Sequence, residues 1–175
     1  MVYKGLKKLC IFRNDIFLNK AKEEDEIYDG PLTEQSVINT IEIVQKIELK
    51  IQGYKKALII SPNTIASQQS TKIFRAFSKI KTITDDLLYS DDRQNPNLAK
   101  IKDLIYRTVD EKGIDVLILV CSYEIAMDIG NFLVATEFRK QLQHMFNISP
   151  GQCEIIDFTK IIDNKIKNEL ITLDD

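Results

Sequence analysis

Short apolar runs alternate along the chain with longer segments in which apolar residues recur every three or four positions. The runs at 9–12, 57–60 and 116–121 contain no charged residue, which is typical of strands buried on both faces of a sheet. The longer segments have the period of amphipathic helices. This alternation predicts an α/β protein, a three-layer α/β/α sandwich whose central sheet is mostly parallel with antiparallel edge strands.

Four helices are predicted between and after these runs. The first is expected to begin after Thr33, whose side chain can cap it, and to end near Gly53. The second is expected to follow Ser61 as its cap, the third to end at Gly113, and the fourth to follow Ser122. The apolar positions that define the helices are, in chain order, Val37, Ile41, Val44, Ile47 and Ile51; Ile65, Ala66, Ile73, Ala76 and Phe77; Leu98, Ile101, Ile105 and Val109; and Ile125, Ala126, Ile129, Phe132 and Leu133.

Weaker patterns predict the remaining elements. A short strand is expected over 80–83, and an acidic segment over 85–97 is expected to form a long surface loop. Residues 137–147 either extend the fourth helix or add another. A further strand is predicted over 154–158, after a turn that contains proline and glycine.

A final hairpin is predicted to pair 160–162 with 170–173. The chain has 175 residues, of which 44% are hydrophobic, and this length is ordinary for one globular domain. We therefore predict a single domain over 1–175. Its core spans about 7–160, and 160–175 forms a C-terminal hairpin or tail.

Charge and composition narrow the possible functions. The 24 basic and 26 acidic residues are spread along the chain and give a net charge of −2, so we expect no broad cationic surface and no nucleic-acid partner. No apolar run is long enough for a membrane span or a signal-peptide core. The three cysteines cannot all pair within one chain, which favours a reducing cytoplasm. The sequence leaves the oligomeric state open.

The polar residues that follow the apolar runs carry the predicted chemistry. Arg13, Asn14 and Asp15 follow the first run, Ser61 follows the second, and Ser122 follows the most apolar one. In an open α/β sheet, ligands bind at the carboxyl ends of the strands, and the helix starts beyond them can hold an anion. Arg13 is therefore the best single candidate for a functional residue.

Several of these segments resemble, in order, the motifs of one family. The Arg-Asn-Asp at 13–15 resembles Arg-His-Gly, and 29–34 resembles Asp-x-Pro-Leu-Thr-Glu. Residues 61–69 resemble Ser-Pro-x-x-Arg-Ala-x-Gln-Thr. The Val-Cys-Ser-Tyr at 120–123 falls where the family has Val-Ser-His-Gly. Residues 151–154 resemble the segment before the family's last core strand. These are the motifs of the histidine phosphatase, or phosphoglycerate mutase-like, superfamily. Over about 7–160 the chain is most similar to its small bacterial phosphohistidine phosphatase branch.

The departures from this pattern imply lost catalysis. The family's nucleophilic histidine corresponds to Asn14, its second arginine to Ile65, its second histidine to Ser122 and the glycine after the nucleophile to Asp15, so only Arg13 is retained. An amide nitrogen has no lone pair with which to attack phosphorus. Loss of a covalent nucleophile costs on the order of 10³ to 10⁶ in rate. The resemblance therefore implies a catalytically inactive domain that serves as a binding or interaction module.

A pocket of mostly neutral donors is predicted at this site. It could still hold a sulfate, a phosphate or a phosphorylated group of a small molecule or phosphoprotein, with Arg13 as anchor, or it could be vestigial. No cofactor and no metal is predicted. The predicted pocket residues are Arg13, Asn14, Ser61, Asn63, Ser122, Tyr123 and Gln152.

Two alternatives stay open on the sequence alone. The first is a phosphatase with reorganised chemistry that uses Asp15, Glu124 or Ser122. The second is a different three-layer α/β domain, such as a flavodoxin-like one. His144, the only histidine, lies on a helix-like segment over 137–146 without a cysteine or carboxylate at metal-ligand spacing, so we expect it to have no catalytic or metal-binding role.

Overall fold

The computed structural model describes residues 5–14, 30–90 and 95–174. In these ranges four α-helices alternate with strands of one seven-stranded sheet. A short 3₁₀ helix, Asp86–Leu88, follows the third strand. The elements are β1 Lys8–Arg13, α1 Glu34–Ile51, β2 Ala57–Ser61, α2 Ile65–Ser78, β3 Lys81–Thr84, α3 Leu98–Lys112, β4 Val116–Cys121, α4 Tyr123–Phe138, β5 Gln141–Leu142, β6 Cys153–Ile162 and β7 Lys165–Ile171.

The strand order across the sheet is β3-β2-β4-β1-β6-β7-β5. Strands β3, β2, β4 and β1 run parallel to one another, whereas β6 is antiparallel to both β1 and β7. The short β5 pairs in parallel with β7 at the far edge. This arrangement confirms the predicted mostly parallel sheet with antiparallel strands added on one side.

Helices cover both faces of the sheet. Alternate residues of β1 point to opposite faces, so Leu9 and Ile11 pack with the buried residues of α3 and α4, and Cys10 and Phe12 pack with those of α1 and α2. The ring of Phe12 meets that of Phe74 edge to face, with centroids 5.5 Å apart. Both faces of β1 and β4 are therefore buried, as their continuous apolar runs predicted.

Helix α2 differs from its prediction in the residue that caps it and in the face that it buries. Thr64 caps the helix, accepting a hydrogen bond from the Ser67 amide, so the expectation that Ser61 is the cap was wrong. Ser61 instead ends β2 and is fully buried. Ile65 and Phe77 are exposed, and the buried positions are mainly small or polar. The buried residues of α2 are Ala66, Ser67, Ser70, Thr71 and Phe74.

The C-terminal third also departs from its prediction. Helix α4 ends at Phe138, and the residues that follow form β5 and irregular chain rather than a helix. Strands β6 and β7 form one long hairpin in which Ile162 pairs with Lys165 and Cys153 with Ile171. The predicted pairing of 160–162 with 170–173 is therefore wrong. Positive φ angles at the two turn residues, 163 and 164, allow a two-residue turn that sets this register.

The remaining predictions concern the loops and the short strand. The strand expected over 80–83 is β3. The long surface loop expected over 85–97 includes residues 91–94, which lie outside the described residues. The rest of that segment contains the short 3₁₀ helix, with Leu88 fully buried, and Asn97, which caps α3. Gly113 ends α3 in a left-handed conformation, as predicted. Across the ranges that the model describes, no helix combines the length and apolar character needed to cross a membrane.

Candidate functional site

The carboxyl ends of β1, β2 and β4 lie along one edge of the sheet, which we call the rim. Arg13 is level with Cys121 in the register of β1 and β4, and the Asn14 amide donates to the Cys121 carbonyl at 3.3 Å. Ile60 of β2 is level with Leu119. The predicted residues that follow the first, second and fourth strands therefore meet at one edge, and Asn14 lies beside the start of α4.

Arg13 is fixed from two sides of the rim. Its guanidinium donates to the carbonyl oxygen of Ile148 at 2.7 Å, and its Cζ atom lies 4.3 Å from the centroid of the Tyr123 ring. Its backbone amide donates to the carbonyl of Gln152, and its carbonyl accepts from the Gly151 amide, both at 3.0 Å. A guanidinium is a planar group with five N–H donors, and these contacts fix its position at the rim.

Asn14 connects the end of β1 to α2. Its amide nitrogen donates to the Ser67 hydroxyl at 2.6 Å, and its amide oxygen accepts from the Ser70 hydroxyl at 3.1 Å. Both serines are fully buried. Thr64 extends this chain by donating to the Ser67 hydroxyl at 2.7 Å. The Asn14 side chain is thus held by hydrogen bonds to buried groups of α2.

Ser67 and Ser70 are residues of this site that the sequence analysis did not select. They lie three positions apart and therefore share one face of α2. The apolar pattern gave no signal for them, because residues 67, 70 and 71 are polar and the predicted stripe ran through other positions of the helix. A buried polar face needs hydrogen-bond partners, and Asn14 supplies two.

The two predicted serines of the rim have internal partners. Ser122 precedes α4, and its hydroxyl accepts from the Ser90 amide at 3.0 Å instead of capping its own helix. The buried Ser61 hydroxyl accepts from the Gln68 side-chain amide at 3.1 Å. These contacts join the rim to the segment around residue 90 and to α2.

The other predicted residues lie around these four elements. The Asn63 amide donates to the carboxylate of Asp86 at 2.7 Å. The side-chain oxygen of Gln152 accepts from the Ser149 amide at 2.9 Å, which closes the turn before β6. Ile65, which the sequence motifs matched to the family's second arginine, begins α2 with half of its surface exposed. Residues 15–29, which include Asp15, lie outside the described residues.

The acid–base candidates at the rim are weak. Cys121 is fully buried, and burial raises the pKa of its thiol far above the ordinary value, although nearby Arg13 opposes this. Its nucleophilic thiolate is therefore not populated at neutral pH. Glu124 lies in the first turn of α4, next to Tyr123.

His144 lies away from the rim. Its backbone amide and carbonyl bond to Asn168, in the middle of β7, and β6 separates β7 from β1. Among the described residues, no three histidine, cysteine or acidic side chains form a possible metal site. In the part of the chain that the model covers, the rim thus combines a guanidinium, an amide, hydroxyls and a phenol ring, without an imidazole.

The sequence matches no family model and no curated protein, but solved structures share the fold. The protein histidine phosphatase SixA in complex with tungstate superposes over 94% of this chain and 96% of its own, with 8% identity and a TM-score of 0.63. A mycobacterial glucosyl-3-phosphoglycerate phosphatase with VO3 superposes over 94% of this chain and 97% of its own, with 10% identity and a TM-score of 0.64. The alpha-ribazole phosphatase of Shigella flexneri superposes over 94% of this chain and 96% of its own, with 11% identity and a TM-score of 0.59. The chain therefore has the histidine phosphatase fold that its sequence motifs suggested.

Proposed function

We propose that this protein is a catalytically inactive domain of the histidine phosphatase fold that binds a phosphorylated small molecule or phosphoprotein at the rim. Arg13 is the anchor for the phosphoryl oxygens, because a charge-assisted hydrogen bond from a guanidinium is among the strongest contacts for an anion. The hydroxyl and phenol groups of Ser122 and Tyr123 border the same place. Binding without turnover is the activity that these groups support best.

The observation that carries this proposal is the bonding of Asn14. Its amide nitrogen donates to Ser67 while its oxygen accepts from Ser70, so neither end is a nucleophile or a base. A carboxamide nitrogen donates its hydrogens and has no lone pair for phosphorus. The phosphoryl-enzyme route to hydrolysis therefore has no attacking group at this position.

The neighbouring structures support the choice of ligand class. Their names describe phosphatases, one acting on protein histidine and one on glucosyl-3-phosphoglycerate, and two were solved with the oxyanions tungstate and VO3. The present chain has an arginine at the carboxyl end of β1 on the same fold. We therefore propose that the ligand of this protein carries a phosphoryl group, and we assign no particular substrate.

Catalytic inactivity is tested by phosphatase assays on the purified chain. With para-nitrophenyl phosphate and a phosphohistidine peptide we expect hydrolysis no faster than in buffer. Arg107→Ala, an exposed arginine of α3, is the control for Arg13→Ala. Turnover that disappears in Arg13→Ala and persists in Arg107→Ala would establish the alternative, a phosphatase with reorganised catalytic residues.

Anion binding at the rim is tested by calorimetric titration with tungstate and with inorganic phosphate. We expect saturable binding that Arg13→Ala weakens by about tenfold or more, which corresponds to the loss of a charged hydrogen bond of about 1.5–3 kcal/mol. Arg107→Ala should leave the affinity unchanged. Absence of binding, or equal affinity in both variants, would mean that the rim does not act as an anion site.

A further inference from the structure

Cations gather in two adjoining clefts beside the edge strand β3. The first has a volume of about 660 Å³, and the second, also of about 660 Å³, shares Lys79 and Lys81 with it. We call their seven cations together the basic cleft. Its members are Lys72, Arg75, Lys79 and Lys81 of the first cleft, and Lys55, Lys56 and Lys112, which only the second includes.

The nearest carboxylates bind to backbone and serine groups of the basic cleft: Asp115 accepts from the backbone amides of Lys55 and Lys56, and Glu48 bonds to the Ser78 hydroxyl. No aspartate or glutamate of the described ranges lines either cleft. None of the seven cations forms an ion pair with any residue that the model describes, whereas lysines elsewhere do so, including Lys7 with Asp115 and Lys102 with Glu137, both at 3.0 Å. The even spread of charge along the sequence predicted no such surface. The fold creates it by bringing the end of α2 and the starts of β2 and β3 together.

Helix ends explain only part of this charge. Arg75 lies in the last turn of α2 and Lys112 in the last turn of α3, where cations stabilise the carboxyl ends of helices. Lys72 precedes the last turn of α2, Lys81 starts β3, and Lys55 precedes β2. These three residues do not lie in the last turn of a helix, so stabilisation of helix ends does not explain their place in the cluster.

Strand β3 offers a backbone edge inside the same surface. Across the described elements it pairs with β2 alone, from Leu58 with Lys81 to Ser61 with Thr84. Such an edge can accept an additional strand, and flanking lysines discourage neutral or basic strands from doing so. An acidic strand is the one kind that these lysines would attract. We propose that the basic cleft binds an acidic, extended peptide segment of a partner protein, which pairs with β3.

The clefts do not suit single-stranded nucleic acid. Among the residues that the structure describes, Tyr54 is the one aromatic residue that lines them, and the amines of Lys7 and Lys8 already lie 5.8 and 5.5 Å from its ring centroid. Bases would need an accessible aromatic face on which to stack. The site is also separate from the rim, because it lies at the amino ends of β2 and β3.

Binding is tested by fluorescence anisotropy with a labelled peptide of about ten residues that alternates glutamate and valine. The test variant is Lys72→Glu/Lys81→Glu. The matched control is Lys100→Glu/Lys165→Glu, which changes the net charge equally at exposed lysines outside the cleft. Circular dichroism confirms that each variant is folded. If Lys81→Glu disturbs β3, Lys55→Glu/Lys72→Glu replaces the test variant.

We expect the test variant to bind at least about tenfold more weakly than the wild type, and the control to bind within about threefold. A peptide in which alternate valines are replaced by proline should lose most of its affinity, because proline removes the ladder donors. Arg13→Ala should bind normally, which separates this proposal from the function of the rim. Equal losses in both charge variants, or tighter binding of oligo-dT or anionic vesicles than of the peptide, would overturn it.

Discussion

Arg13, at the end of β1, lies over the ring of Tyr123, at the start of α4, with 4.3 Å between the guanidinium carbon and the ring centroid. An arginine over an aromatic face at a partly exposed site is worth about 0.5–1 kcal/mol. The contact joins two elements that meet at the rim. It also fixes the position of the guanidinium at the rim.

We therefore expect Tyr123→Ser to lower the free energy of unfolding by about 0.5–1 kcal/mol and to weaken tungstate binding. Tyr123→Phe keeps the aromatic face and should retain both properties. Urea unfolding and calorimetric titration measure the two effects. A loss as large in Tyr123→Phe as in Tyr123→Ser would assign the effect to the phenol hydroxyl and not to the contact with Arg13.

Asn14 should contribute to stability as a structural residue. Asn14→Ala leaves the buried Ser70 hydroxyl without its acceptor and removes one of the two groups that donate to the Ser67 hydroxyl. An unsatisfied buried polar group costs about 1–3 kcal/mol. We expect a decrease of this size in the free energy of unfolding, measured in urea. Asn63→Ala, at an exposed position near the same edge, should change stability by less than about 0.5 kcal/mol. Similar effects for the two variants would contradict the bonding described for Asn14.

The main elements of the fold followed from the sequence because each obeys one local rule. The continuous apolar run of β4 is buried on both faces only as a strand inside a covered sheet. Thr33 and Gly113 mark helix ends because these residue types cap helices. Both rules depend only on residues that are close together in the sequence. The parallel direction of the strands that end at the rim followed from the helical connections between them, whereas their order across the sheet was not predicted.

The parts that were missed depend on contacts between distant residues. The polar face of α2 is buried because Asn14, more than fifty residues away in the chain, bonds to Ser67 and Ser70. Periodicity alone assigned the inner face to Ile65 and Phe77, which are exposed. The basic cleft is likewise a product of the tertiary fold, since its cations come from three separate segments. Local pattern carries no information on either arrangement.

Gly130 marks a close approach between α4 and the sheet. A Cβ atom at this position would lie 3.0 Å from Ile156 Cδ1, 3.2 Å from Ile11 Cδ1 and 3.2 Å from a carboxylate oxygen of Glu154. Both isoleucines are fully buried, so they have little room to move. Gly130→Ala gains about 1 kcal/mol in helix propensity, and overpacking costs about 1–3 kcal/mol.

We expect Gly130→Ala to be destabilising overall, with a lower urea midpoint than the wild type. Asp128→Ala is the control, because it lies on the same helix at an exposed position. That variant should be neutral or slightly stabilising. A rise in the midpoint of Gly130→Ala equal to that of the control would show that α4 is not held against the sheet at this distance.

Glu154 is a carboxyl group inside the sheet, with only 5% of its surface exposed. One oxygen accepts from the side-chain amide of Asn168 at 2.6 Å, and Asn168 also bonds to the backbone of His144. Burial raises the pKa of Glu154 from its ordinary 4.5 to about 7, and the hydrogen bond from Asn168 opposes the shift. The folded chain therefore retains this proton at a pH where the unfolded chain has released it.

Stability should consequently fall as the pH rises from about 4.5 to about 7, because over that interval the folded state binds more protons than the unfolded state. A shift of this size corresponds to at most about 3 kcal/mol above the upper value. Glu154→Gln keeps an acceptor for Asn168 without a charge, so it should match the wild type near pH 4 and exceed its stability near pH 8. Urea unfolding across this range measures the difference, with Glu111→Gln at an exposed site as control. If Glu154→Gln retained the wild-type pH profile, another group would have to account for the titration.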